Sequence, residues 1–330
     1  ASSSVMCVFT PDDLALPKSL TTDADGGPRF GKYIPFPSFV NKIENYPYPY
    51  LIGGRCWEFP GTIPDDWQGQ NLNQPNNPAT VEDLIAAIDA TVIKKGIANI
   101  VFHPHGWIRA QQIVQVIDHV ETKYGKRVKF LTFRDCVERI NQHLLLGHPV
   151  RGTGGADNGV RLLDINDDGF VDVLIGNRHR QLARIWQPDD RGWLDVQSPL
   201  QFWSNDTDGR RINQGVRFGV FSDSGQVDAY VNRAGHQAIY RFAGDHFDRL
   251  PIPPGLEAIA SARSPTDNGI RLRDLDQDGI SEVLVGNPRQ KQIFQRSDSG
   301  DWKPTHSLPA SIVDTRGQDN GVRFVDLDRD

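Results

Sequence analysis

The stretch DNGVRLLDINDDGFVDVLIGN, from Asp157 to Asn177, returns almost unchanged as DNGIRLRDLDQDGISEVLVGN from Asp267 to Asn287. It opens a third time at Asp319 as DNGVRFVDLDRD, and a weaker copy, NQGVRFGVFSDSGQVDAYVNR, runs from Asn213 to Arg233. Asn158, Asn213, Asn268 and Asn320 follow one another at intervals of 55, 55 and 52 residues. Self-similarity at such a period marks a repeated supersecondary unit whose copies cover one another's apolar faces.

Inside the first copy the pattern is Asp164-x-Asn166-x-Asp168-Gly169-Phe170-x-Asp172. Oxygen side chains at positions 1, 3, 5 and 9, with the Phe170 carbonyl at 7, can surround one hard cation, and glycine at 6 permits the sharp turn. The third copy supplies Asp274, Asp276, Asp278, the Ile280 carbonyl and Glu282, with Gly279 at the turn; the last begins the set with Asp326, Asp328 and Asp330. In the second copy Val220, Ser222, Ser224 and Asp228 occupy these places, so that loop is expected to fold without an ion. An EF-hand would need glutamate at position 12 and a helix on each side. Position 12 is Ile175 or Val285, and the flanks VDVLIG and SEVLVG are short and β-branched, so the loops are expected to join strands and to bind calcium. ARIWQ with GWLDVQ, and KQIFQR with GDWKP, add two further strands per unit. Four short strands in about 50 residues is the length of a propeller blade.

The composition agrees with a folded chain: 330 residues suggest two domains, and 38 % hydrophobic with 24 % charged residues is ordinary for a globular protein. No apolar run approaches the ~18 residues of a membrane helix. The net charge of −6 argues against a nucleic-acid partner, and its concentration in the loops points to cations. Cys7, Cys56 and Cys136 show no CxxC spacing and read as buried free thiols. ASSSVMCVF at the N-terminus reads as a strand rather than a leader, so the chain is expected to be cut at this end and, at Asp330, inside a loop.

Upstream of about 150, strand and helix alternate. Thr80 and Asp83 have capping-box spacing, Leu84, Ile85, Ile88 and Val92 share a face, and Gly96 closes that helix. Ile97–Phe102 reads as a buried strand and Arg109–Tyr124 as a helix with Ile113, Val116, Ile117 and Val120 inward. VKFLTF, from Val128, reads as a second strand and Asp135–Leu146 as a further helix. This predicts an α/β unit over 1–150 with a mostly parallel sheet, followed by all-β repeats over 151–330. HPHGW, His103–Trp107, lies beyond the end of the first strand, where reactive groups gather in such sheets. His103 can serve as acid, base or metal ligand there, or it can cap the next helix. Trp57, Trp67 and Trp107 can stack on sugar rings or bury an irregular segment, and Arg55, Glu58, Asp65 and Asp66 can hold polar groups.

These stretches carry a resemblance. VFTPDD (8–13), YPYPYLIGGRCWEFPGTIPDDWQ (46–68), TVEDLIAAIDATVIKKG (80–96), IVFHPHGWIRAQQIVQVIDHV (100–120) and RVKFLTFRDCVERIN (127–141) resemble the C-terminal part of a polysaccharide deacetylase domain. The family folds as a distorted (β/α) barrel and uses a divalent metal, usually zinc, held by an aspartate and two histidines. The resemblance implies His103 as the acid that protonates the leaving amine, with Asp66, in Asp65-Asp66-Trp67, orienting it. The early Thr-Phe-Asp-Asp and His-x-x-x-His motifs are not in the chain, so acetate release is not expected from these residues alone. The repeats resemble the VCBS/FG-GAP units of integrin-type propellers, which implies further blades and an uncovered apolar face on the last one here. Arg161, Arg217, Arg271 and Arg323, at one position of every copy, either join neighbouring blades or meet a ligand.

The expected protein is a secreted or periplasmic carbohydrate deacetylase. Its calcium-stabilised propeller would engage a polysaccharide, a cell-surface glycan or a surface protein, since loops of this type work at about 10⁻⁴–10⁻³ M calcium. The alternative is a calcium-dependent adhesion protein without catalysis.

Overall fold

A computed structural model describes residues 2–34, 41–205, 207–233, 236–259 and 267–324, the side chains of 2–4 excepted. The chain divides into two units, Ala1–Val137 and Glu138–Asp330, each taken separately below. No helix among the described residues is long and apolar enough to cross a membrane.

In the first unit β1 (Ser2–Val8), β2 (Asn41–Glu44), β3 (Tyr50–Ile52) and β4 (Cys56–Thr62) form one sheet in the order β2-β1-β4-β3. β1 is parallel to β2 and β4, and β3 is antiparallel to β4. The helices are α1 (Lys18–Thr21), α2 (Asp66–Asn73), α3 (Pro78–Lys94), α4 (Ala110–Tyr124) and α5 (Phe133–Arg139).

Several details differ from the periodicity. The cap of α3 is Asn77, whose side chain accepts the Ala79 N–H, with Pro78 in the first turn. Thr80 and Asp83 instead lie buried, and the Asp83 carboxylate accepts from the Tyr33 hydroxyl at 2.7 Å and pairs with Lys32 at 2.8 Å. Ile97–Phe102 makes a single parallel bridge, Asn99 to Gly61, rather than a strand. The Asn99 side chain donates to the Phe59 carbonyl at 3.0 Å, so a polar anchor has replaced a ladder. VKFLTF does not pair at all: Asp135 accepts from both the N–H and the hydroxyl of Thr132, which starts α5 at Phe133 and leaves Phe130 58 % exposed. Ile117 faces outward on α4, while Val116 and Val120 meet Val81, Leu84 and Ile88 of α3. Gly96 is required where it stands, because a Cβ there would come within 2.5 Å of Pro47.

The second unit is built of antiparallel sheets. β5 (Val160–Leu163), β6 (Asp172–Gly176), β7 (Gln181–Gln187) and β8 (Gly192–Gln197) form the first meander, followed by the hairpin β9 (Trp203–Asn205) and β10 (Arg211–Asn213). The second meander is β11 (Val216–Val220), β12 (Val227–Arg233), β13 (His236–Phe242) and β14 (Phe247–Leu250). The third is β15 (Ile270–Arg273), β16 (Glu282–Asn287), β17 (Gln290–Arg296) and β18 (Trp302–Ser307). The first three repeated stretches, from Asp157, Asn213 and Asp267, are each the opening hairpin of a sheet. Asp157, Asn213, Asp267 and Asp319 each accept the N–H of the glycine two residues on at 2.8 Å, so Asn213 takes the place of Asp157 rather than of Asn158.

β6 and β16 are buried throughout, which their Val-Leu-Ile-Gly and Val-Leu-Val-Gly runs demand. Leu174, Ile185 and Val196 of the first sheet pack on Val216, Ala229 and Val231 of the second. Phe221, Tyr230 and Ile239 of the second pack on Ile270, Val283 and Phe294 of the third. Each such Val, Leu, Ile or Phe side chain contributes about 1.5–3 kcal/mol of transfer free energy. The expected bare apolar face of the third sheet is covered: Leu308, Ile312 and Val313 bury Leu284, with Val322 against them. β18 is an exposed edge, and its register to β17 shifts opposite Pro304.

Candidate functional site

In the first unit the site begins with a helix cap. The Asp65 side chain accepts the Gln68 N–H at 2.7 Å and the Gln68 side chain accepts the Asp65 N–H at 3.0 Å, a capping box that fixes the first turn of α2. Burial pushes the Asp65 carboxyl above the ordinary range, and neighbouring Asp66 adds to the rise. Asp66, 2 % exposed, turns inward. One of its oxygens accepts the backbone N–H of His103 at 2.6 Å, and the other lies 2.6 Å from His103 Nδ1. A single carboxylate thus fixes both the backbone and the ring of His103 and occupies Nδ1, so Nε2 is the ring nitrogen left for another partner.

Trp107 and His105 complete the cluster, with ring centroids 5.3 and 6.2 Å from His103 and 4.7 Å from each other. Asn76, ahead of α3, holds this loop by donating to the Trp107 carbonyl at 2.8 Å and the Gly106 carbonyl at 3.1 Å. Trp57 on β4 and Trp67 on α2 are half-buried. Of the sugar-stacking candidates, Trp107 stands beside His103.

The zinc implied by the deacetylase resemblance does not fit the residues described here. Among them, no three His, Cys, Asp or Glu ligand atoms of the first unit come close enough together to share an ion. Nor are all three thiols buried: Cys7 is, and burial pushes it up to about 12, but Cys56 is exposed and Cys136 half-buried.

The acidic loops form the second constellation. Asp164 accepts the N–H groups of Asp168 and Gly169 at 3.1 and 2.8 Å, Asp168 accepts that of Phe170 at 2.8 Å, and Asp172 accepts those of Ile165 and Trp186 at 3.1 and 2.8 Å. The third loop repeats this, with Asp274 accepting from Gly279, Asp278 from Ile280 and Glu282 from Leu275 at 3.0, 2.7 and 2.6 Å. Position 4 is left-handed in both loops, Asp167 at φ 61° and Gln277 at φ 60°, and the glycines follow at 83° and 87°.

Three observations fit a hard cation. Asp274, Asp276 and Glu282 each bring a ligand oxygen within 4.8 Å of the other two. Asn166 Oδ1, at position 3 of the first loop, is buried with no hydrogen-bond partner. Burial, together with Asp168 and Asp164, pushes the Asp172 carboxyl up to about 6, and burial with Asp276 and Asp278 likewise raises Glu282. Phe170 and Ile280 stand at position 7, the former exposed and the latter buried. Asp326, Asp328 and Asp330 lie outside the described residues.

The second loop contains a cation of its own. Arg241 on β13 donates from Nε and Nη2 to the two oxygens of the fully buried Asp228, each at 2.7 Å, and from Nη2 to the Ser222 hydroxyl at 2.7 Å. It thereby meets positions 9 and 3 of the loop, while position 4, Asp223, is not left-handed. Sequence reasoning missed Arg241. The signal was an arginine directly across the hairpin from the position-9 acid, where the other copies place Ile185 and Gln295.

Comparison of the chain with family models, with curated proteins and with solved structures finds no significant match.

Proposed function

We propose that the first unit supplies the general acid of a carbohydrate deacetylase, and that the second is a set of calcium-stabilised propeller blades holding it on a glycan outside the cytoplasm. The observation that carries the reading is the Asp66 carboxylate gripping His103 at its N–H and at Nδ1. Hydrolysis of an acetamide or acetate ester needs an activated water, a base for its proton and an acid for the departing group. In this reading His103 donates from Nε2 to the leaving amine or alkoxide. Asp66 holds the ring in place for that donation, and Trp107 offers an apolar wall for the sugar.

The test is acetate release from N-acetylated chitin oligosaccharides and acetylated xylan by the protein, with zinc supplied. His103→Ala and Asp66→Asn are expected to lower kcat by about 10²–10⁴-fold with little change in KM. No acetate from either substrate would overturn the catalytic reading. A calcium-dependent surface-recognition protein without catalysis would then stand, a reading favoured by the lack of a three-ligand metal set among the described residues of the first unit.

A further inference from the structure

In the first and third meanders the two ends carry opposite charge. The acidic loops lie at one end; at the other are the turns that join the second and third strands, with exposed Arg178 and Arg180 in the first and Arg289 in the third. The recurrent arginines also reach toward this second end. Arg161 pairs with Asp157 at 2.7 Å, and Arg271 with Asp267 at 3.0 Å, each within its own repeat. The second repeat has Asn213 where the others have aspartate, so Arg217 crosses to the third repeat, to Asp267 at 3.0 Å and the Ile270 carbonyl at 3.0 Å. One carboxylate there serves two guanidinium groups.

The imbalance is sharpest beside β9 and β10. Arg211 lies over the Trp203 ring at 4.4 Å, and Arg161 over the Phe202 ring at 4.8 Å. Among the described residues no carboxylate is within ion-pair distance of Arg211, and Asp157, which partly offsets its charge, is already held at both oxygens by Arg161. Burial, with repulsion from Arg151 and Arg161, lowers the Arg211 guanidinium below its ordinary range despite Asp157. An arginine stacked on an indole keeps its N–H edge free for a planar, two-oxygen acceptor.

We propose that Arg211, on Trp203 and beside Arg161, binds the carboxylate of a uronic acid unit in an acidic glycan. This rests on the reading of the second unit as glycan-binding and names the class of glycan. A nucleic-acid strand suits the face less well. Asp157, Asp267 and Asp319 interrupt the arginine row at its repeats, whereas a sugar acid needs one carboxylate contact and an aromatic edge.

The experiment is calorimetric titration of the chain with trigalacturonic acid, neutral chitohexaose and single-stranded DNA of matched charge, in constant calcium. Trigalacturonic acid is expected to bind. Arg211→Ala should weaken it by about ten- to a hundredfold, the effect of losing a charged hydrogen-bonding partner. Arg211→Lys should recover part of the loss, and exposed Arg316→Ala should change nothing, with unaltered circular dichroism in all three. Undiminished affinity in Arg211→Ala, equal loss in Arg316→Ala, or equally tight DNA binding would each overturn the assignment. Binding of chitohexaose but not of the uronate would sink this proposal and leave glycan binding standing. Binding of neither saccharide would sink both.

Discussion

In β12 the Asp228 carboxylate is gripped by the guanidinium of Arg241, whereas Asp172 of β6 and Glu282 of β16, at the same place in their sheets, receive backbone N–H groups and face further carboxylates. The hairpin is the same and the electrostatic problem is the same: an acid buried beneath a turn. One solution is a tethered cation, present whenever the sheet is folded. The other, in our reading, is a diffusing cation whose contribution depends on its concentration. A tethered charge costs side-chain entropy and desolvation once and is indifferent to the medium. An ion adds stability only through mass action. On that reading the middle sheet holds its shape where calcium is scarce, and its neighbours depend on the ion.

The largest expected effect is that of calcium itself. At 10 mM, about a hundredfold above a dissociation constant near 10⁻⁴ M, each site adds about 2.7 kcal/mol, so two sites add about 5 kcal/mol to chemical unfolding of the second unit. Asp276→Asn should remove about half of this gain. Equal midpoints in calcium and in EDTA would abolish the distinction between the loops.

Next is Arg241→Ala, which strands a fully buried carboxylate. Breaking such a pair costs about 3 kcal/mol or more. The loss should be the same in calcium and in EDTA, read as a shift in urea midpoint at constant slope. If calcium rescues the variant, the second loop is a latent ion site and the contrast with its neighbours narrows.

The smallest effect is a pH dependence confined to the metal-free protein. Asp172 is raised from 3.8 to about 6, so the folded state holds its proton more tightly than the unfolded one does. This contribution is fully present below pH 3.8 and is lost as pH rises through about 6. In EDTA, wild type should lose stability relative to Asp172→Asn across that window, by on the order of 1 kcal/mol given the exposed neighbours. Calcium should reverse the trend, because it binds the ionised form. A flat difference curve in EDTA would show that backbone donors alone satisfy Asp172.

The repeats were the most readable part of the chain. Period, glycine placement and β-branched runs together specify the β5–β6 and β15–β16 hairpins, because each level of the pattern points the same way. The amphipathic faces of α3 and α4 were readable for the same reason, down to Val116 and Val120. The failures have one cause. An apolar run such as Ile97–Phe102 or Val128–Phe133 announces burial, but pairing depends on a neighbour supplied from elsewhere, and Asn99 and the Thr132–Asp135 cap decided against it. Arg241 was hidden similarly, since its partner is set by cross-strand register rather than by spacing along the chain. The tie between Asp66 and His103 spans 37 residues, and only the family resemblance anticipated it.

The outer strand of the third sheet carries a consequence for solubility. A free β-edge is a template on which another chain can grow, and proteins guard it with proline, charge and irregular register. β18 has Pro304, which offers no N–H, beside Lys303, and a residue out of step with β17 at the same point. A foreign strand laid along it would find its hydrogen-bond row broken midway. The edge can therefore stand in water without recruiting copies of itself, however many sheets lie beside it.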